Sequence, residues 1–277
     1  MSQTANLAWL TALAVANQDY QYTPNPRDMK VREVLNYNYT VDMHEPVVTH
    51  VGRKLNYKFM FGEAAWILRG RNDLKTIQKY MKSYGRFSDD GASLNGAYGP
   101  KIMDQIAWAA KELLSDPDSR RCYINIWRER PGPSKDIPCT TGMQFIVRDG
   151  VLHSFVNMRS QDVVWGMPYD IFVFTAIANY LRMYLWHVHS RGFSLGNLHV
   201  RAASLHIYER HFVDAEDWIT RRAWDDAIGS GPVGALQGVE HWQKCFAAPD
   251  LESYLTCLEN AEVDPCLENA EVDHGNY

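Results

Sequence analysis

The sequence predicts an α/β (α+β) protein that does chemistry on a small ligand. Residues 143–148 and 151–158 are β-rich apolar runs joined by Asp149-Gly150, a strong short-range hairpin signal. Residues 171–189 (IFVFTAIANYLRMYLWHVH) are apolar on nearly every face, as in a helix buried in a core or at a subunit interface. Residues 197–208 (NLHVRAASLHIY) alternate apolar and polar like a half-buried strand.

Bulk properties narrow the class. The chain of 277 residues is 46% hydrophobic and 22% charged, enough for a sizeable core. Its formal charge of −5 argues against a general nucleic-acid binder but leaves room for a local cationic pocket. The 9 Trp and 15 Tyr suit large aromatic cores or stacking on a planar ligand. Five cysteines (Cys122, Cys139, Cys245, Cys257, Cys266) form no CxxC pair and no zinc spacing, so no metal site is expected. With no secretory signal in view, they read as reduced thiols of a cytoplasmic protein. Residues 6–17 are apolar, but no Lys or Arg precedes them and Asp19 follows, so a first amphipathic helix is expected rather than a leader. No run approaches the ~18 apolar residues of a membrane span.

In chain order, residues 20–28 read as a Pro-rich loop carrying Arg27, and residues 31–48 as strands. Residues 55–69 are an apolar helix that contains Glu63. A buried acid is costly unless it is paired or functional, so Glu63 is a candidate site residue. A turn at 70–73 offers Asn72 or Asp73 to cap a helix running through about Ser83. A glycine-rich loop follows over 84–99, then a helix over 100–115 and a turn at 116–121 with adjacent Arg120 and Arg121. Residues 122–127 alternate as a strand, and residues 209–222 read as a helix. The octapeptide CLENAEVD at 257–264 recurs at 266–273. The expected organisation is one catalytic domain over 1–250 and an acidic, mobile tail over 251–277.

The chemistry concentrates between residues 136 and 170. Cys139 stands at a Pro-Cys-Thr-Thr junction entering a strand, with arginines nearby in sequence. Positive charge lowers a thiol's pKa and exposes the thiolate; the alternative is a buried structural thiol. Arg27, Arg120, Arg121 and Arg159 lie in loops or at strand ends, and their convergence would make a dianion site. Composition and spacing alone give a cysteine-dependent α/β enzyme acting on a phosphorylated ligand.

With these residues laid out, the chain resembles the thymidylate synthase superfamily, most of all its phage-type deoxycytidylate (dCMP) hydroxymethylases. Gly62-Glu63-Ala64-Ala65-Trp66 matches the family's Glu-bearing helix, and Tyr98-Gly99 its Tyr-Gly pair. The turn from Asp116 to Arg121 is similar to its phosphate turn, and Pro138-Cys139 to its nucleophile. Arg159-Ser160-Gln161-Asp162 matches R-S-x-D, and Gly166-Met167-Pro168-Tyr169-Asp170 matches G-x-P-x-N/D. His206 and Tyr208 match the ribose motif.

The resemblance implies a large twisted mixed β-sheet flanked by helices and a sheet-to-sheet homodimer. It implies a catalytic set of Cys139, Glu63, Asp170 and Tyr98. It also implies substrate binding by Arg27, Arg159, Ser160, Asp162, Gly166, His206 and Tyr208, with Arg120 and Arg121 reaching in from the other subunit. The co-substrate would be 5,10-methylenetetrahydrofolate, with no metal, no nucleic acid and no membrane. The location would be the cytoplasm, the host's if the gene is phage-borne. Departures within the family refine the expectation. Asp170 replaces the Asn that reads uracil and points to cytosine, whose edge offers an amino donor beside an unprotonated N3. Thr140 follows the nucleophile where methylating enzymes carry His. No hydrophobic terminal seal is visible. The expected reaction is hydroxymethylation of dCMP. The alternatives are a CMP hydroxymethylase, with Lys135 near the ribose, a thymidylate synthase acting on dUMP, and an inactive relative that binds nucleotide or RNA.

Overall fold

The computed structural model describes residues 2–128, 132–220 and 233–262. The strands β1 (Val31–Asp42), β2 (Tyr123–Asn125), β3 (Thr140–Arg148), β4 (Val151–Met158), β5 (Gln161–Asp162) and β6 (Ser194–Tyr208) form one six-stranded sheet. Its order is β1-β6-β4-β3-β2, with β5 also paired to β6. The sheet is mixed: β1–β6, β2–β3 and β3–β4 are antiparallel, and β4–β6 and β5–β6 are parallel. The β3–β4 turn is the expected one. Asp149 and Gly150 are both left-handed (φ 51° and 75°), the conformation of a two-residue turn whose twist matches the strands.

Alternation along the strands sends one face inward. In β4, Leu152, Ser154, Val156 and Met158 are buried, whereas His153, Phe155 and Asn157 are half-buried on the other face. The buried face meets α1 (Ala5–Gln18) and α5 (Met167–His189), and α2 (Tyr57–Leu68) packs against α5. The near-continuous apolarity of α5 is explained by its place at the centre, contacting α1, α2, α4 (Gly99–Ser115), β4 and β6. Among the described residues no helix is long and apolar enough to cross a membrane.

Three expectations need correction. First, the helix expected from 74 to about 83 stops at Ile77, giving a short α3 (Leu74–Ile77) capped by Asp73. Met81 is extended, and the Tyr80 ring occupies the space where a Cβ on Gly62 would lie, 2.5 Å away, so contact with α2 overrides local propensity. Second, part of the expected tail is folded. After α6 (Phe212–Thr220) and α7 (Val233–Phe246), residues Leu251–Glu259 form α8, capped by the Asp250 carboxylate on Ser253 N–H at 2.7 Å. Tyr254, Leu255 and Leu258 are buried against α2 and α5, and Arg69 at the end of α2 pairs with Glu252 and Glu259. The second octapeptide copy lies outside the described residues. Third, the expectation of reduced thiols fails at Cys245 and Cys257, which are joined by a disulfide. Packing of α7 on α8 brings their Cα atoms to 5.4 Å, a closeness no sequence spacing signalled.

If α8 is integral, Tyr254→Ala should behave as a core truncation. Tyr254 is fully buried and its hydroxyl donates to Ala176 C=O at 3.2 Å. A loss of about 3–5 kcal/mol is expected from the midpoint of chemical denaturation. A change within about 0.5 kcal/mol, the range of surface substitutions, would show that α8 is dispensable.

Candidate active site

A cavity of about 470 Å³ opens where the ends of β4, β5 and β6 and the residues just before β3 and α4 meet α2 and α5, a size suited to a small ligand. Arg27, Glu63, Tyr98, Cys139, Arg159, Ser160, Asp162, Gly166, Asp170, His206 and Tyr208 all line it. Arg120 and Arg121 do not. They lie exposed in the turn before β2, where Arg121 donates to Glu112 Oε1 at 2.9 Å.

Cys139 is the residue before β3. Its C=O accepts from Arg159 N–H at 2.9 Å, tying the start of β3 to the end of β4. The Arg159 guanidinium folds back on the same corner, donating to Pro138 C=O at 3.0 Å and Ile137 C=O at 2.9 Å. Burial pushes the Cys139 thiol up, and Arg159 opposes that shift. The next residue, Thr140, is fully buried. Its N–H and Oγ1 both bond to the Tyr98 hydroxyl, at 3.3 and 3.0 Å. The loop before Cys139 is fixed by Asp136, whose carboxylate accepts from Gly96 N–H at 2.7 Å. A Cβ on Gly96 would sit 2.4 Å from that carboxylate, so this close approach needs glycine.

Two acids face the cavity from helices. Glu63 projects from α2 and accepts from the Tyr84 hydroxyl. Asp170 lies in the first turn of α5, which begins earlier than its sequence suggested because Pro168 is accommodated at the helix start. Burial pushes both carboxyls up to about 7. The Tyr84 bond and a bond from Gln161 hold Glu63 and Asp170, respectively, below what burial alone would impose.

The backbone between β5 and α5 is held from behind. Trp9 Nε1 of α1 donates to Val163 C=O at 2.8 Å, and Arg53 Nε donates to Val164 C=O at 2.9 Å. Asp162 Oδ1 accepts from Val164 and Trp165 N–H at 2.8 and 3.1 Å. Its Oδ2 is buried with no partner among the described residues. Across the β5–β6 pair, Asp162 is in register with His206, and burial lowers the His206 pKa so that its ring stays neutral. The His206 and Tyr208 rings meet edge to face at 5.1 Å. Arg27 stands across the mouth with a left-handed backbone, φ 54°.

Sequence reasoning missed Tyr84 and Gln161. Tyr84 sits in the glycine-rich segment read as a plain loop, and Gln161 fills the variable position of R-S-x-D. The only signal for Gln161 is polarity between flagged residues, and Tyr84 carries none.

Comparison with known proteins agrees with this geometry. A family model described as thymidylate synthase matches residues 12–227. The Deoxyuridylate hydroxymethyltransferase of Bacillus phage SP01 is 29% identical over 177 residues, covering 57% of this chain and 45% of that protein. The chain thus spans less than half the length of that curated relative. The match over most of the chain, on a mixed sheet flanked by helices, carries the assignment: the chain belongs to the thymidylate synthase family.

Proposed function

We propose that the protein hydroxymethylates C5 of a cytosine nucleotide, converting dCMP, 5,10-methylenetetrahydrofolate and water into 5-hydroxymethyl-dCMP and tetrahydrofolate. The observation that carries the cytosine reading is Asp170: a carboxyl group whose burial favours the protonated form, lining the same cavity as the cysteine. A protonated carboxyl offers N3 a donor and the amino group an acceptor.

In this reading each cavity residue has a role. Arg27, Arg159 and Ser160 take the 5′-phosphate, and His206 with Tyr208 takes the ribose. The Cys139 thiolate, favoured by Arg159, adds to C6 of the pyrimidine and makes C5 a carbon nucleophile. Folate supplies the one-carbon unit. Its fit is supported by the partnerless buried Asp162 Oδ2, which wants an N–H donor such as a pterin carries, and by the apolar wall of Phe59, Trp66, Ile67 and Phe87. Glu63 takes the C5 proton through water, a task for an acid poised near 7. C5 bonds to that one-carbon unit, and with the C5 proton gone the bond from this carbon to tetrahydrofolate breaks. Water then adds to the resulting exocyclic methylene of the pyrimidine and Cys139 departs, restoring the C5–C6 double bond. Tyr98, bonded to Thr140, steadies the residue after the nucleophile. The half-buried strand face opposite the helices suits a second copy of the chain, whose Arg120 and Arg121 would complete the phosphate site.

Deoxyuridylate is the second reading, because the phage SP01 relative is named for that nucleotide. CMP is a third, since Lys135 also lines the cavity. Assaying dCMP, CMP, dUMP and UMP side by side, with product mass separating methyl from hydroxymethyl, decides among them. Preference for dUMP would sink the cytosine reading.

The hydrogen bond from Tyr84 yields a pH prediction. Donation to the Glu63 carboxylate favours its charged form, so Tyr84→Phe raises the Glu63 pKa above about 7. The limb of the kcat profile that disappears in Glu63→Gln is expected to move to higher pH in Tyr84→Phe. A limb that stays or moves down contradicts the assignment.

A further inference from the structure

An acid reads a base edge unambiguously only if its proton is confined to one oxygen. Cytosine presents an amino donor at C4 beside an acceptor at N3, and uracil presents an acceptor at O4 beside a donor at N3. A neutral carboxyl whose proton moves freely between its oxygens can match either edge. A carboxyl with a fixed carbonyl oxygen and a fixed hydroxyl oxygen matches only one.

Gln161 is placed to impose that choice. It is almost fully buried, 1% exposed, in β5. Its Nε2 donates to Asp170 Oδ2 at 3.0 Å and contacts the Tyr39 hydroxyl at 3.1 Å, while its Oε1 has no partner among the described residues. A turned-over amide would orphan two buried N–H donors instead of one carbonyl, the costlier arrangement. Oδ2 is also enclosed from the α5 side, since a Cβ on Gly166 would come within 3.3 Å of it.

We propose that Gln161 is a specificity-determining positioning residue: by donating to Asp170 Oδ2 it keeps that oxygen an acceptor and leaves the acid proton on Oδ1, so the carboxyl shows the base a donor and an acceptor in one fixed order. This rests on Asp170 reading the base, and not on which base it reads. The other groups acting on Asp170 do not make the distinction. Asp162 of β5 raises its pKa. Glu63 of α2, Tyr98 before α4, Tyr39 of β1 and Cys139 before β3 are coupled to its charge, but no hydrogen bond joins any of them to its oxygens among the described residues.

The test uses the whole protein with dCMP and dUMP. Gln161→Met removes the donor at similar length, and Gln161→Glu puts a second acid there that can share a proton with Asp170 either way round. Both are expected to narrow the dCMP/dUMP ratio of kcat/KM by about tenfold or more, whichever base the parent prefers, with the same narrowing in the ratio of nucleotide Kd values. In Gln161→Met the pH limb assigned to Asp170 should also move up, because the bond that favoured its carboxylate is gone. Ratios within about twofold of the parent in both variants, by turnover and by binding, overturn the proposal. If instead Asp170→Ala leaves the ratio unchanged, the base-reading role of Asp170 fails, a separate outcome.

Discussion

Cys139→Ala is expected to lower kcat by at least about 10⁴-fold, the scale seen when a covalent nucleophile is removed, while nucleotide still binds. The loss should be this large because nothing nearby can substitute. The other free thiol among the described residues, Cys122, is fully buried, donates to Ala109 C=O at 3.4 Å and is pushed up to about 12 by burial. Tyr98 lines the same cavity, but its pKa is raised far above neutrality by burial, so it offers no anionic oxygen. Binding should persist because the proposed phosphate, ribose and base contacts come from Arg27, from Arg159 and Ser160 between β4 and β5, and from β6 and α5, and the backbone bonds that hold these segments do not use the Cys139 side chain. Quenched single-turnover mass spectrometry supplies the check: an adduct of protein plus nucleotide in the parent and none in the variant. Turnover above about a tenth of the parent would remove the covalent step from the mechanism.

The parts of the fold that were legible are those set by local chemistry. The Asp149-Gly150 turn is readable because a two-residue hairpin needs left-handed backbone at both positions. Helix α5 is readable because a helix apolar all round must be enclosed. Glu63 stood out as an acid on an apolar helix, and the structure places it on the cavity with a raised pKa. What failed depends on distant partners. The end of α3 is set by Tyr80 lying against Gly62. Docking of α8 is set by Arg69, far away in sequence, although Asp250 three residues before Ser253 and apolar residues at 251, 254, 255 and 258 carried a helix signal that the duplicated octapeptide obscured. The Tyr84–Glu63 and Gln161–Asp170 bonds join partners whose proximity no periodicity encodes. The resemblance, rather than composition, pointed to the cavity residues as a set, and it said nothing of the side chains that tune them.

Asp170→Ala is expected to shrink the dCMP/dUMP ratio of kcat/KM by about 10²-fold or more, since it removes the buried donor and acceptor that read the base edge, whereas Asp170→Asn should keep their order and move the ratio by less than about tenfold. The protonated Asp170 side chain and an asparagine both offer one donor and one acceptor, but they differ in what sets the order. The acid's order follows its proton, and with Gln161 donating to Oδ2 the remaining oxygen carries it. The amide's order follows its own orientation, and at this position Gln161 N–H would again face an acceptor, so the amide oxygen should turn to Gln161 and its NH₂ toward the ligand. An amide fixed that way has lost the acid's coupling to pH. In the parent, kcat/KM for dCMP should fall as pH rises through about 7, because Asp170 then loses the proton that N3 needs. In Asp170→Asn that limb should vanish for whichever nucleotide is turned over. The two readouts are independent. A base ratio that does not move in Asp170→Ala leaves Asp170 outside base recognition. A pH limb that survives the substitution belongs to another group, with Glu63 the first to test because its carboxyl is also pushed up to about 7.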